Sequence, residues 1–137
     1  MSNKVSDWMS SPAIVIDPDS SVSYALTLIR RRNIHSVVVD LSKSQDVPAY
    51  GIATTTDIRD KIMATERNPA ETSVREIMSA PALAANPDWT LKECSMKMQQ
   101  HNIHHLLVVD ENGVLLGLIS ATDIFVAAEE IGWGKSS

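Results

Sequence analysis

The chain repeats itself. Met9-Ser10-Ser11-Pro12 returns as Met78-Ser79-Ala80-Pro81, Asp17-Pro18 as Asn86-Pro87, and Asn33-Ile34-His35 as Asn102-Ile103-His104, each at an offset of 69 residues. A further match, "GIATTTDI" (Gly51 to Ile58) against "GLISATDI" (Gly117 to Ile124), stands at an offset of 66. The first copy is therefore three residues longer between its histidine and its aspartate, and the difference falls where "DLSKSQDVPAY" faces "DENGVLL". Asn112-Gly113 is a tight hairpin signal; the first copy has a longer polar loop with Pro48 in its place. A repeat constrains the architecture more than any single motif, because each copy is one supersecondary unit that needs a neighbour to bury its apolar face.

Each copy predicts the same elements in the same order. A short apolar segment follows a proline (Ala13 to Ile16, Ala82 to Ala85) and ends at a proline-containing turn. Val22, Ala25, Leu26 and Ile29 then recur at helical spacing. In the second copy Thr90 and Glu93 form a capping box ahead of Leu91, Cys94 and Met98. The runs Val37-Val38-Val39 and Leu106-Leu107-Val108-Val109 predict buried strands. A strand ending at Ala53 or Ile119 and a helix starting near Thr56 or Thr122 complete the order β-α-β-β-α, twice. The predicted class is α/β (α+β), with a first repeat over residues 5–64, a polar linker over 65–73, a second repeat over 74–131 and a tail over 132–137. A half of about 60 residues is marginal for folding alone, so the two halves are expected to pack with pseudo-two-fold symmetry around a shared core.

Composition removes several function classes. Twelve Lys and Arg stand against 17 Asp and Glu, a net charge of −5, which argues against non-specific nucleic-acid binding. The run Arg30-Arg31-Arg32 fits the solvated C-terminal end of a helix. Cys94 is the single cysteine, so neither an intrachain disulfide nor a thiolate metal cluster is available. No apolar run approaches the roughly 18 residues of a membrane span, and the N-terminal stretch lacks a signal-peptide core. The chain reads as cytoplasmic, with no nucleic-acid or membrane partner. It contains no phosphate-cradling Gly-rich loop and no nucleophile-base-orienter set, so it reads as a non-enzyme without a cofactor.

The doubled pattern, "NIH" before an apolar strand and Gly-apolar-apolar-[Ser/Thr]-x-Thr-Asp-Ile after a turn, resembles a pair of CBS (cystathionine-β-synthase-type) domains from about Val5 to about Ile131. The resemblance implies a stand-alone regulatory module with two clefts between its repeats, binding AMP, ADP or ATP in one or both, and pairing into a homodimer read by an unknown protein partner. It also implies site roles. Asp57 and Asp123 take the ribose hydroxyls; Thr54, Thr56, Ser120 and Thr122 meet phosphate or ribose; Ala13, Ile14, Ala82 and Leu83 line the adenine pocket. The chemistry is consistent, since an ionised carboxylate only accepts hydrogen bonds and a ribose diol offers two donors side by side. Hydroxyls and amides at a helix start suit an anion. The plainer reading stays beside it: Thr56 or Thr122 caps a helix, and Asp57 or Asp123 favours its first turn.

The remaining residues carry paired readings. His35, His104 and His105 contact phosphate, or they bond backbone groups and pack their rings at a strand start. Adjacent His in a strand point to opposite faces, so no metal site is expected. No arginine precedes either apolar strand, and His and Ser lack the bidentate phosphate grip of Arg. Arg59 and Lys61 supply charge beside Asp57 or lie on a solvated face. Trp89 staples a helix start to the core, and Trp133 in the tail points to an interface. Cys94 is a buried structural thiol. Two alternatives accompany the nucleotide reading: an interaction and dimerisation module with empty clefts, and an S-adenosylmethionine sensor.

Overall fold

A computed structural model describes residues 2–44 and 48–132 of the chain. Trp133 and the rest of the tail lie outside the described residues, as do residues 45–47 of the longer loop. In the first repeat, β1 (Val15–Ile16) leads into α1 (Val22–Arg32), β2 (Ser36–Asp40), β3 (Tyr50–Thr54) and α2 (Thr55–Ile58), which widens into a π turn over Arg59–Met63. The second repeat runs β4 (Ala84–Ala85), α3 (Leu91–His101), β5 (His105–Val109), β6 (Leu115–Ser120) and α4 (Ala121–Ile131). Each repeat forms its own three-stranded mixed sheet. β1 pairs parallel with β2 and β2 antiparallel with β3; β4, β5 and β6 follow the same order and senses. The predicted α/β class and the doubled β-α-β-β-α order are both present.

Local signals set the helix ends. Ser21 caps α1 by accepting from the Tyr24 amide, and Thr90 and Glu93 form the predicted box at the start of α3. Asn33 and Asn102 close α1 and α3 in the left-handed region, at φ 53° and 52°, a conformation Asn tolerates better than most residues. Arg30, Arg31 and Arg32 are exposed in the last turn of α1, where cations oppose the partial negative charge of the helix end. The hairpin between β5 and β6 turns at Gly113, φ 82°.

The strands β1 and β4 are shorter than the apolar segments suggested. Only Val15–Ile16 and Ala84–Ala85 join a ladder, opposite Val38–Val39 and Leu107–Val108. Ile14 and Leu83 contribute a carbonyl each, accepting from the Val38 amide at 2.8 Å and the Leu107 amide at 3.0 Å. The following turns, at Asp17-Pro18 and Asn86-Pro87, end the extension.

The chain forms two compact units whose boundaries do not follow the repeats. One holds residues 14–82; the other joins residues 2–13 to 83–132. The segment that opens each repeat therefore packs in the unit built on the other. In the second-repeat unit, Asn3 and Ser10 bond Leu91 and Leu118, while Val5 and Ser6 donate to the Trp89 and Pro87 carbonyls. Ser10 bridges Leu118 as an extra antiparallel contact, and Ser79 bridges Ile52 equivalently in the first-repeat unit. Residues 65–73 run along that unit as well: Val22 and Ser23 donate to the Thr72 and Pro69 carbonyls.

Each unit has an apolar core of its own. The first gathers Ile16, Val22, Ile29, Val37, Val39 and Ile62 with Val74 and Ile77 from the crossing segment. The second gathers Ala85, Cys94, Met98, Leu106, Val108 and Ile119 with Val5 from the N-terminal segment, and Trp8, Met9 and Trp89 pack against it. The exchanged segments give each small sheet apolar cover that its own repeat does not supply. Among the described residues no helix is long and apolar enough to cross a membrane.

Candidate functional site

The two strand-to-helix turns that attracted notice in the sequence are built alike. β3 ends at Thr54 and β6 at Ser120, both in extended backbone, at ψ 167° and 166°. Each residue caps the helix that follows. The Thr54 hydroxyl accepts from the Asp57 amide at 3.2 Å, and Asp57 Oδ2 accepts in return from the Thr54 amide at 2.9 Å and the Thr54 hydroxyl at 3.1 Å. Ser120 and Asp123 repeat the arrangement at 3.2, 2.8 and 3.1 Å. These are reciprocal capping boxes. The capping residues are Thr54 and Ser120, two positions ahead of Thr56 and Thr122, which lie exposed in the first turn of their helices. The next amide along, that of Thr55 or Ala121, donates to the carbonyl of His35 or His104 at 2.9 Å.

Each box uses a single carboxylate oxygen, Oδ2. The turns differ in what happens to the other. Asp57 Oδ1 meets Lys61 Nζ at 3.3 Å, and that ammonium also donates to the Ile77 carbonyl at 2.8 Å. The Asp57 side chain is 14% exposed. In the second repeat the residue four after Asp123 is Ala127, which is buried, and Asp123 Oδ1 has no partner among the described residues. Arg59, the other cation near Asp57 in sequence, pairs with Asp60 at 2.7 Å and is exposed.

A family model described as "CBS domain" matches residues 5–64 and 74–130. The chain belongs to the CBS-domain family. Among curated proteins it is similar to the CBS domain-containing protein YhcV of Bacillus subtilis, 30% identical over 124 residues that cover 90% of this chain and 84% of that one. It also matches 24% of the length of a homoserine O-acetyltransferase of Methanococcus vannielii, at 29% identity over 88% of this chain. Among solved structures, a hexameric CBS-CP12 protein from bloom-forming cyanobacteria has a TM-score of 0.86 at 26% identity, covering 93% of this chain and 72% of that one. A putative signal-transduction protein with CBS domains from Burkholderia ambifaria has a TM-score of 0.79 at 28% identity, covering 97% and 99%. Two more distant structures share the fold: a Pyrobaculum aerophilum CBS domain protein complexed with AMP (TM-score 0.77, 18% identity, 93% and 98% covered), and the CBS domain pair of protein MJ0100 with 5′-methylthioadenosine and S-adenosyl-L-methionine (0.80, 24%, 95% and 98%).

The other candidate residues of the two CBS repeats divide by position. His35 and His104 are exposed and use their carbonyls to hold the helix starts. His105 opens β5 directly opposite Ser120, where the first repeat pairs the buried Ser36 with Thr54. Cross-strand partners share a face, so β5 and β6 bring His105 to the capping serine of the second CBS turn. Ala13 and Ile14, like Ala82 and Leu83, are half-buried where the chain passes from one unit to the other. A cavity of about 250 Å³ opens between α3 and α4, lined by Met98, Ile103, His104, Ala121, Ile124 and Phe125 among others. Among the described residues no cluster of His, Cys, Asp and Glu has metal-binding geometry.

Of the two cations that follow Asp57, Lys61 supplies charge beside it while Arg59 turns to Asp60. The signal for Lys61 was present: a lysine four residues after an acid on a helix is the favoured orientation for an ion pair.

Cys94 lies in the second core behind the turn. Burial pushes its thiol up to about 11, the Asp123 carboxylate pushes in the same direction, and Lys97 opposes them. Iodoacetamide at pH 8 is therefore expected to alkylate the folded chain about a hundredfold more slowly than the unfolded chain, because the thiolate is the nucleophile. Equal rates would contradict the buried placement. Because the folded thiol ionises at higher pH than the unfolded one, its contribution to stability is complete below about pH 9 and is lost as the pH climbs towards 11.

Proposed function

We propose that this CBS pair is a non-catalytic, ligand-sensing regulatory module that binds an adenosine nucleotide, AMP, ADP or ATP, at a strand-to-helix turn. The observation that carries the reading is the division of labour in the turn carboxylates: the capping box takes Oδ2 alone, so the same residue orders the helix start and holds Oδ1 outside the box, where Lys61 meets it at Asp57 and no described residue does at Asp123. A rigidly held carboxylate suits a ribose diol. In this reading Asp57 or Asp123 takes the diol, the exposed Thr56 or Thr122 hydroxyl meets phosphate at the helix start, and the apolar residues before β1 or β4 hold adenine. His104 and His105 are the nearest candidates to assist with phosphate. The Thr54 and Ser120 hydroxyls are already engaged as caps. AMP, 5′-methylthioadenosine and S-adenosylmethionine, the ligands named for the two fold neighbours, all contain adenosine, which supports the sugar as the shared element. The module pairs with a second copy, and binding shifts a packing equilibrium that a partner protein reads, by as much as the ligand's affinity differs between the two states.

The test is calorimetric titration of ligand-stripped protein with AMP, ADP, ATP and S-adenosylmethionine, followed by the tightest of them without its 2′-hydroxyl. Saturable binding is expected. Removing one hydroxyl that donates to a carboxylate is expected to weaken it about tenfold to a hundredfold, from the roughly 1.5–3 kcal/mol of a charged hydrogen bond. Tight binding of S-adenosylmethionine alone would assign the sensor to that ligand class. Flat heats for all four, with an unchanged melting temperature, would leave the turns as helix caps and favour a module that acts through its surfaces.

A further inference from the structure

The two turns match in sequence and in capping geometry, yet they are not chemically equivalent. A ribose diol bound by a carboxylate needs acceptor capacity on that carboxylate. In the first repeat both oxygens of Asp57 are engaged: Oδ2 by the Thr54 amide and hydroxyl, Oδ1 by Lys61. Lys61 is anchored from a second side by the Ile77 carbonyl, a residue of the crossing segment. A neutral diol offers weaker donors than an ammonium. Displacing the lysine would also strip its charge from a carboxylate that is 14% exposed, where an unpaired charge is costly.

The second repeat lacks this plug. Ala127 stands where Lys61 does, and Oδ1 of Asp123 keeps its acceptor capacity among the described residues. The first-repeat turn also carries the buried Ser36 where the second carries the larger, half-buried His105.

We propose that Lys61 closes the first turn, and that Asp123 of the second repeat is the carboxylate that takes the ligand's diol. The proposal rests on the adenosine reading given above. It makes Lys61 the residue that sets the stoichiometry, and it removes Asp57 from the binding machinery, leaving it as a capping and ion-pairing residue.

The test uses the full chain and the tightest adenosine ligand from the titration. Asparagine keeps a capping acceptor at either position, so Asp57→Asn and Asp123→Asn preserve the helix starts. The parent is expected to bind one equivalent per chain. Asp123→Asn is expected to weaken binding about tenfold or more, Asp57→Asn to change it less than about twofold, and Lys61→Met to raise the stoichiometry from one to two. Two equivalents in the parent, or a loss confined to Asp57→Asn, would overturn the assignment while leaving the adenosine reading intact. A stoichiometry of one in a folded Lys61→Met variant would overturn the role given to Lys61. No heat from any adenosine ligand in either the parent or Lys61→Met would overturn the adenosine reading itself, and this inference with it.

Discussion

Deleting residues 2–13 is expected to unfold the unit built on the second repeat and to leave the unit built on the first intact. The segment belongs to the second-repeat unit although it leads the chain into, and from Val5 on is part of, the first repeat in sequence. Val5 is fully buried in the second core, and Trp8 and Met9 pack against it. Burying one such side chain contributes about 1.5–3 kcal/mol, so losing the three together removes about 5 kcal/mol even after allowance for the partial exposure of two. The deletion also orphans backbone partners at Pro87, Trp89, Leu91 and Leu118. A small domain is stable by about 5–15 kcal/mol in total, so the loss is comparable to everything the unit has. Residues 14–82, with their own crossing segment at 74–79, keep every member of the first core. Amide correlation spectra of the deleted chain would then show dispersed signals from residues 14–82 and collapsed signals from 83–132. Dispersed signals from both, or collapse of both, would contradict the division into units.

That crossing was not legible in the sequence, and the reason is physical. The N-terminal stretch "KVSDWMSS" has neither helical nor strand periodicity; it folds as one short 3-10 turn, Val5–Asp7, between isolated bridges at Lys4 and Ser10. Elements held by tertiary contacts leave no periodic trace, so the offset of 69 revealed that Val5 and Val74 correspond without revealing which sheet each one covers. Features set by local chemistry were legible. The Thr90–Glu93 box, the Asn112-Gly113 turn and the apolar strands β2 and β5 each depend on residues within a few positions of one another, and each is where the pattern put it. The turn motif was half legible. Its residue types announced both a cap and an acceptor, but which hydroxyl caps depends on where the strand ends, and the strand runs one residue beyond Ala53 and Ile119. The asymmetry between Asp57 and Asp123 was written in the sequence as Lys61 against Ala127. It gains meaning only once Ile77 is known to hold the lysine from the other side.

Gly117→Ala is expected to cost about 2–3 kcal/mol, and Gly51→Ala distinctly less. The two glycines occupy equivalent positions where a crossing segment passes over the last strand of a sheet. Neither has a positive φ, so alanine suits the backbone at both sites and the question is one of space. A methyl group at Gly117 would lie 2.5 Å from the Ser10 carbonyl oxygen, and at Gly51 2.8 Å from the Met78 sulfur and 3.1 Å from the Ser79 carbonyl oxygen. A methionine sulfur can swing away on three rotatable bonds. The Ser10 carbonyl cannot, because it accepts from the Leu118 amide at 3.0 Å while the Ser10 amide donates to the Leu118 carbonyl at 2.8 Å. Relief at Gly117 therefore means lifting the N-terminal segment off the sheet, which loosens the same Val5, Trp8 and Met9 packing that the deletion removes. Overpacking of this kind costs about 1–3 kcal/mol, and the upper part of that range fits a clash with fixed backbone. Alanine also restricts the unfolded chain, which returns about 0.4–1 kcal/mol and is enough to bring Gly51→Ala close to neutral. Urea unfolding of both variants against the parent measures the difference. A Gly117→Ala protein as stable as the parent would mean that the N-terminal segment does not hold the close approach to β6, and the prediction for its deletion would then fall as well.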